Sequence, residues 1–170
     1  YLSHPLSLGR TDQNLVAMLV RLVALYGDRP FLVERLEGQW ATTTYSEFAD
    51  MVAGTALRLS TWGVGEEDRV VLLMRNSVAH AATAFAVMAL GGVAVPLSTQ
   101  HYASDAGRAS THRLAKLSGA AWAVLDDVWV DAPPEGVRSM AASEILGDPD
   151  GPLLDLDLAG RALSRDAVAK

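Results

Sequence analysis

Three short apolar runs in the middle of the chain constrain its fold more than any other feature. They cover residues 70–74, 93–97 and 121–125, and each has the length of one β-strand. Because the runs are apolar throughout, each strand is predicted to be covered on both faces of a sheet. Capped, helix-length segments at 78–90 and 104–118 separate them. The pattern predicts an α/β fold in which three neighbouring parallel strands form a β-α-β-α-β unit.

Smaller elements are predicted on either side of this unit. An extended lead-in over residues 1–11 is followed by a helix, which Thr11 or Asp12 can cap. Residues 31–43 predict a β-hairpin, and the capping-box sequence TYSE at 44–47 predicts the start of a second flanking helix. After the third strand, one helix is predicted over residues 139–146.

Two parts of the chain are expected to differ in their organisation. Residues 1–147 are predicted to form the α/β unit with its small N-terminal hairpin, and residues 148–170 a linker that approaches a further strand. The chain begins with Tyr1 rather than Met, so a processed or truncated chain is expected.

Composition excludes several classes of protein. The 170 residues include no cysteine, which removes disulfides, thiolate catalysis and cysteine metal sites. The net charge of −6 arises entirely within residues 126–170, which carry ten acids and four bases, so no nucleic-acid partner is expected. The longest apolar stretch contains His80 and Pro96, so no membrane span is expected either. No leader sequence opens the chain, and a cytoplasmic location is predicted.

The predicted turns lack the common signatures of nucleotide and catalytic sites. A dinucleotide-binding unit needs glycines after its first strand, and this turn reads RNS at 75–77. Ser98, His101 and Asp105 are residue types of a catalytic triad, but true triads combine separate elements. The four histidines lack the spacing of metal ligands. No catalytic, cofactor-binding or metal-binding residue is therefore assigned.

Position in the predicted sheet still indicates where a ligand would lie. In open parallel sheets, ligands bind beyond the carboxyl ends of the strands. The longest and most polar loop at such an end follows the second strand. It supplies the candidate substrate-cleft residues Ser98, Thr99, His101 and Tyr102.

Several motifs occur together in an order that resembles one enzyme superfamily. They are TYSEF at 44–48, GVGEEDRV at 63–70, RNS at 75–77 and LGGVAVPL at 90–97. Across about residues 15–127, the chain resembles the N-terminal part of adenylate-forming acyl- and aryl-CoA synthetases. The lead-in HPL at 4–6, the segment 102–127 and the ending DAVAK at 166–170 are most similar to the feruloyl-CoA synthase branch. Gly107 and Arg108 depart from the usual pattern.

The resemblance implies a function for a longer protein. Such ligases use ATP and Mg²⁺ to convert a carboxylic acid, here an aromatic, feruloyl-like acid or another carboxylic acid, to an acyl-adenylate, and coenzyme A then displaces AMP. The partners implied are the acid substrate and the remainder of the ligase chain, including the phosphate loop that follows position 170 in that branch. The segment alone is expected to be inactive. The alternative is a non-catalytic α/β binding or regulatory module.

Overall fold

A computed structural model describes residues 14–146 of the chain. In that range the elements follow in the order α1 (Leu15–Tyr26), β1 (Pro30–Leu36), β2 (Gln39–Thr44), α2 (Tyr45–Thr61), β3 (Arg69–Leu73), α3 (Val78–Ala89), β4 (Val93–Pro96), α4 (Asp105–Ser118), β5 (Trp122–Leu125), β6 (Arg138–Ala141) and α5 (Ala142–Leu146). A short 3₁₀ helix, Asp127–Trp129, lies between β5 and β6. The predicted linker at 148–170 and the extended lead-in at 1–11 lie outside the described residues.

The central sheet has four parallel strands in the order β4-β3-β5-β6. In its register, Val71 of β3 pairs with Val95 of β4 on one side and Ala123 of β5 on the other. The three strands predicted from the apolar runs are therefore confirmed as parallel members of one sheet, with the first of them at the centre. The α/β fold with an N-terminal hairpin is also confirmed.

Helices cover both faces of the sheet, because alternate residues of each strand point to opposite sides. Val70 and Leu72 belong to a large apolar cluster with side chains of α1, α2, α3 and α5. Val71 and Leu73 face the other way, into a smaller cluster with Tyr102 and residues of α4. These four side chains of β3 are fully buried, which explains why the strand is apolar after Arg69.

The helices begin where local hydrogen bonds satisfy their free amides. The capping box predicted at α2 is confirmed: the Glu47 amide donates to Thr44 Oγ1, and the Thr44 amide donates to Glu47 Oε2 at 2.7 Å. These bonds favour the charged carboxylate and lower the pKa of Glu47. Asn14 caps α1 in place of the predicted Thr11 or Asp12, and Ser104 caps α4 as predicted.

The hairpin packs against the body through aromatic rings. Phe31 of β1 stacks on Tyr45 with ring centroids 4.4 Å apart. It also meets the fully buried ring of Phe48, which in turn contacts Phe85 of α3 edge to face. This row of aromatic rings joins the hairpin, α2 and α3 into one unit.

The prediction of a single helix over residues 139–146 is wrong in its first half. Residues 138–141 form β6, which pairs in parallel with β5, and the helix begins only at Ala142. The sequence RSMA has little intrinsic preference for a strand. Pairing with β5 overrides that local preference, because the exposed edge of β5 would otherwise leave its backbone groups unpaired.

Candidate functional site

The strand order creates a switch point between β3 and β5. The chain leaves β3 towards β4 on one side and later returns to add β5 on the other side. At such a point the connecting loops diverge, and parallel α/β sheets commonly bind ligands there. Here the carboxyl ends of the two strands carry Arg75 and Asp126, which are 51 positions apart in sequence.

An ion pair fills this switch point. Asp126 Oδ2 accepts hydrogen bonds from the backbone amide and from Nε of Arg75, both at 2.9 Å. The Asp126 side chain is only 12% exposed, whereas that of Arg75 is 73% exposed. The carboxylate therefore links the carboxyl ends of β3 and β5 and holds Arg75, which lines the neighbouring cleft.

That neighbouring cleft lies beyond the carboxyl ends of β3 and β4 and has a volume of about 410 Å³. This volume is within the range of small-molecule sites. Its wall contains two of the predicted site residues, Ser98 and Thr99. The other lining residues are Met74, Arg75, Asn76, His80, Pro96, Leu97 and Gln100. The structure thus brings the polar loop after β4 together with the turn that begins α3.

His80 lines the cleft, and its surroundings shift its pKa. Burial disfavours its charged form and lowers its pKa, and the nearby negative charge of Asp126 only partly opposes this effect. The imidazole is therefore neutral near pH 7. It lies one turn inside α3, whose first amides are already used by Ser77 Oγ and by Glu34 Oε2 from the hairpin.

We expect the stability of the protein to fall below pH 6.5 in part because of His80. An unfolded chain binds a proton near the ordinary histidine pKa of 6.5, whereas the folded chain binds it only at lower pH. The stabilisation that comes from keeping His80 neutral in the fold is therefore complete above pH 6.5. It is lost as the pH falls through the lowered pKa. His80→Gln should reduce the change in urea midpoint between about pH 7.5 and 5.5. His101→Gln, which removes an exposed imidazole, is the matched control; an equal effect in both variants would contradict the assignment.

Tyr102, another predicted site residue, is buried in the core below the loop. Its side chain is fully inaccessible, and its hydroxyl donates to the carbonyl of Ala132. The same oxygen lies 3.1 Å from His112 Nε2, and the ring packs edge to face on Trp129. Burial raises the pKa of this phenol. Tyr102 therefore anchors the loop after β4, and it presents no surface to the cleft.

His101 lies on the other side of the loop. It contributes to a separate groove of about 430 Å³ between this loop and α4, which Ser98 also borders. Its carbonyl is so close to Gly107 that a Cβ at that position would overlap it. This contact explains the glycine that departs from the usual pattern of the superfamily: α4 can approach the loop only without a side chain there.

The three triad residue types considered from sequence are not all brought together in one groove. Asp105 pairs with Arg108 on the surface of α4 and lies in neither groove with Ser98. The adjacent carboxylates of Asp126 and Asp127 do not act as a pair either: Asp126 accepts from Arg75, and Asp127 accepts from the amide and hydroxyl of Ser143. Within residues 14–146, no group of three or more His, Cys, Asp or Glu side chains is placed to hold a metal ion.

Some residues in and beside the cleft were not predicted from the sequence. Arg75 and Asp126 both follow strands predicted to be neighbours, and their opposite charges were an available signal. Nothing local indicated Glu34, which reaches α3 from the hairpin across 44 positions.

Among the described residues, no helix is both long enough and apolar enough to cross a membrane.

The fold and the motifs match a known enzyme family. Residues 19–149 match the profile of the AMP-binding enzyme family, and this match covers more than half of the chain. The protein therefore belongs to the AMP-binding enzyme family.

Curated relatives include long-chain-fatty-acid–CoA ligases of mycobacteria. The chain is 31% identical over 93 residues to FadD15 of Mycobacterium bovis, and 32% identical over 92 residues to FadD15 of Mycobacterium tuberculosis. These alignments cover 55% and 54% of the chain and 15% of each relative. The aligned part of this chain thus corresponds to a small portion of those ligases.

Solved structures show the same fold at low identity. The fatty acid AMP ligase of Legionella pneumophila superposes with a TM-score of 0.72 at 16% identity, over 89% of this chain and 25% of that one. The O-succinylbenzoate coenzyme A synthetase of Bacillus subtilis, solved with AMP, gives a TM-score of 0.65 at 21% identity. That match covers 76% of this chain and 32% of the synthetase.

Proposed function

We propose that this chain is the N-terminal part of an acid-activating ligase, which forms an acyl-adenylate from ATP and a carboxylic acid and transfers the acyl group to coenzyme A. The observation that carries the proposal is the family match over residues 19–149. The short share of each relative that the chain covers supports a role as part of a longer protein. Such a protein would act in the cytoplasm, where ATP and coenzyme A are available.

Within that protein, the described residues would serve as scaffold and as one wall of a cleft. Ser98 and Thr99 are the proposed contacts, because both line the cleft beyond β3 and β4. The described residues do not fit the phosphates of ATP or a Mg²⁺ ion: the turn after β3 has no glycine, and the amides of Val78 and His80 at the start of α3 already donate to Glu34 and Ser77. We therefore derive no catalytic step from them.

Two acids are candidates for the substrate. A feruloyl-like aromatic acid is proposed from the motifs shared with the feruloyl-CoA synthase branch. A long-chain fatty acid is the second candidate, because the curated relatives are named for that substrate. Parallel assays of the full-length protein with ferulate and with a long-chain fatty acid would separate them.

We expect the purified 170-residue chain to show no acid-dependent exchange of pyrophosphate into ATP. The physical reason is that charge on the transferred phosphoryl group needs preorganised donors and a metal ion, and residues 14–146 supply neither. The protein encoded by the complete reading frame should show the exchange, and it is the matched control.

Two outcomes would overturn the proposal. Robust exchange by the 170-residue chain alone would refute its role as a non-catalytic part. A reading frame that stops directly after Lys170 would favour the binding or regulatory module.

A further inference from the structure

A second groove lies at the amino ends of β5 and β6, at the opposite end of the sheet from the cleft described above. It has a volume of about 610 Å³, which is within the range of small-molecule sites. Helix α4 forms one wall, and residues 135–137 before β6 form the other. The α4 side chains that line it are His112, Arg113 and Lys116. We call this space the α4 groove.

The α4 wall of this groove is basic. Arg113 and Lys116 are exposed and three residues apart, so they are neighbours on the helix surface. The two ion pairs within residues 14–146 involve neither side chain, and α4 has no acidic residue three or four positions from either of them. Like charges at this spacing repel each other. Two unneutralised cations therefore lie side by side in a protein whose net charge is −6.

The helix dipole accounts for only one of these charges. Lys116 lies in the last turn of α4, where a cation interacts favourably with the free carbonyl groups. Arg113 lies more than one turn before the end of the helix at Ser118, beyond the reach of this effect. An anionic ligand explains its position better, because a guanidinium group can bind a phosphate through two parallel hydrogen bonds.

His112 extends the basic wall with a ring that is held in one orientation. The Tyr102 hydroxyl has a single hydrogen, which it donates to the carbonyl of Ala132. In the 3.1 Å contact between His112 Nε2 and the Tyr102 oxygen, the histidine must therefore be the donor. Among the described residues, this ring makes no other hydrogen bond. Its Nδ1 remains available to a ligand, and it can donate to a phosphate oxygen when the imidazole is charged.

The opposite wall has a different chemistry. Glu135 lines it and forms no ion pair with Arg113 or Lys116. A carboxylate accepts hydrogen bonds from hydroxyl groups and repels additional negative charge. Val137 adds half-buried apolar surface to this wall. A ligand with one phosphate group and several hydroxyls complements both walls.

We propose that the α4 groove binds a sugar monophosphate, either free or as part of a nucleotide. Arg113, Lys116 and His112 hold the phosphate group, and Glu135 accepts hydrogen bonds from the sugar hydroxyls. Because Glu135 repels further negative charge, a monophosphate binds better than a diphosphate. This site does not depend on the ligase activity proposed above.

Titration of the ¹⁵N-labelled 170-residue chain with ribose 5-phosphate, followed by NMR at constant ionic strength, tests the site. We expect saturable shifts of the Gly119, Ala120 and Gly136 amide signals, since these residues line the groove. A dissociation constant on the order of 1 mM is expected for a ligand of this size. Uridine 5′-monophosphate provides the second arm: tighter binding than ribose 5-phosphate assigns the ligand to nucleotides, and equal binding assigns it to sugar phosphates.

Arg113→Gln combined with Lys116→Gln should weaken the binding of ribose 5-phosphate at least about tenfold, because both charged contacts are lost. The matched control is Arg21→Gln combined with Arg58→Gln. It removes the same charge from α1 and α2, which pack on the other face of the sheet, and should change the affinity less than about twofold. Equal weakening by the two double variants, or the absence of saturable shifts, would overturn the proposal.

The role of Glu135 has its own test. Glu135→Ala should weaken the binding of ribose 5-phosphate about fivefold, because hydrogen bonds to the sugar are lost. The same change should not weaken the binding of inorganic phosphate, which has no sugar. If inorganic phosphate bound to the unaltered chain as tightly as ribose 5-phosphate, the assignment of a sugar monophosphate would be wrong.

Discussion

Replacement of Gly107 by alanine is expected to lower the free energy of unfolding by about 3 kcal/mol, which is at the upper end of the usual effect of overpacking. Helix propensity alone would favour alanine by about 1 kcal/mol. The clash outweighs it, because the new Cβ would overlap the His101 carbonyl, a backbone group that cannot rotate away. The expected response is a displacement of the loop that carries Ser98 and Thr99. Urea unfolding of the 170-residue chain measures the effect.

The matched control for this variant is Gly65→Ala. No heavy atom lies within 4 Å of the position that its Cβ would occupy, and its φ lies outside the left-handed region. The change should therefore alter stability by less than about 0.5 kcal/mol. Equal stability of the two variants would show that α4 and the loop do not approach as closely as the structure indicates.

Truncation of Tyr102 to alanine is expected to lower stability by about 3–5 kcal/mol, as for other fully buried aromatic side chains. Tyr102→Phe isolates the hydroxyl and should lower stability by about 1–2 kcal/mol, because the partly buried carbonyl of Ala132 loses its donor. Both changes should speed exchange of the Ser104 amide, which donates within the loop to the His101 carbonyl. Hydrogen-exchange mass spectrometry of the loop measures this effect.

Tyr26→Phe is the control for the hydroxyl. The Tyr26 side chain is 39% exposed and its ring contacts Arg29 and Tyr45, so loss of its hydroxyl should change stability by less than about 0.5 kcal/mol. If Tyr102→Phe were equally mild and the loop exchanged at the wild-type rate, Tyr102 would not anchor the loop.

The positions of the candidate-site residues Ser98 and Thr99 depend on Gly107 and Tyr102. Gly107 and Tyr102 contact no part of the 410 Å³ cleft, yet they determine where the loop after β4 lies. Changes at either position are therefore expected to alter the cleft indirectly, through the position of Ser98 and Thr99. Variants of direct contacts and of loop anchors can be distinguished by measuring stability, because only the anchor variants should lower it.

Features that depend on neighbouring residues in the chain were predictable from sequence. Residues 70–74 and 122–125 are continuous apolar runs, and burial on both faces requires that composition. The third run forms β4, whose residues are exposed or only partly buried, so the expected cover on both faces is not found there among the described residues. The caps at Thr44, Ser77 and Ser104 use side chains within three residues of the amides they satisfy. The motifs at 44–48, 63–70, 75–77 and 90–97 lie at the starts and ends of these elements, and for that reason they indicated the family as well as the fold.

Features that depend on distant residues were decided only by the tertiary structure. The Arg75–Asp126 pair joins positions 51 apart and links the carboxyl ends of β3 and β5 beside the cleft. The strand β6 forms because β5 offers an unpaired edge, although its own sequence does not favour a strand. Tyr102 is a polar residue in a polar loop. It is buried because its hydroxyl donates to the carbonyl of Ala132, 30 positions away. In each case a long-range contact supplies a free energy that outweighs the local preference, and no local pattern records that contact.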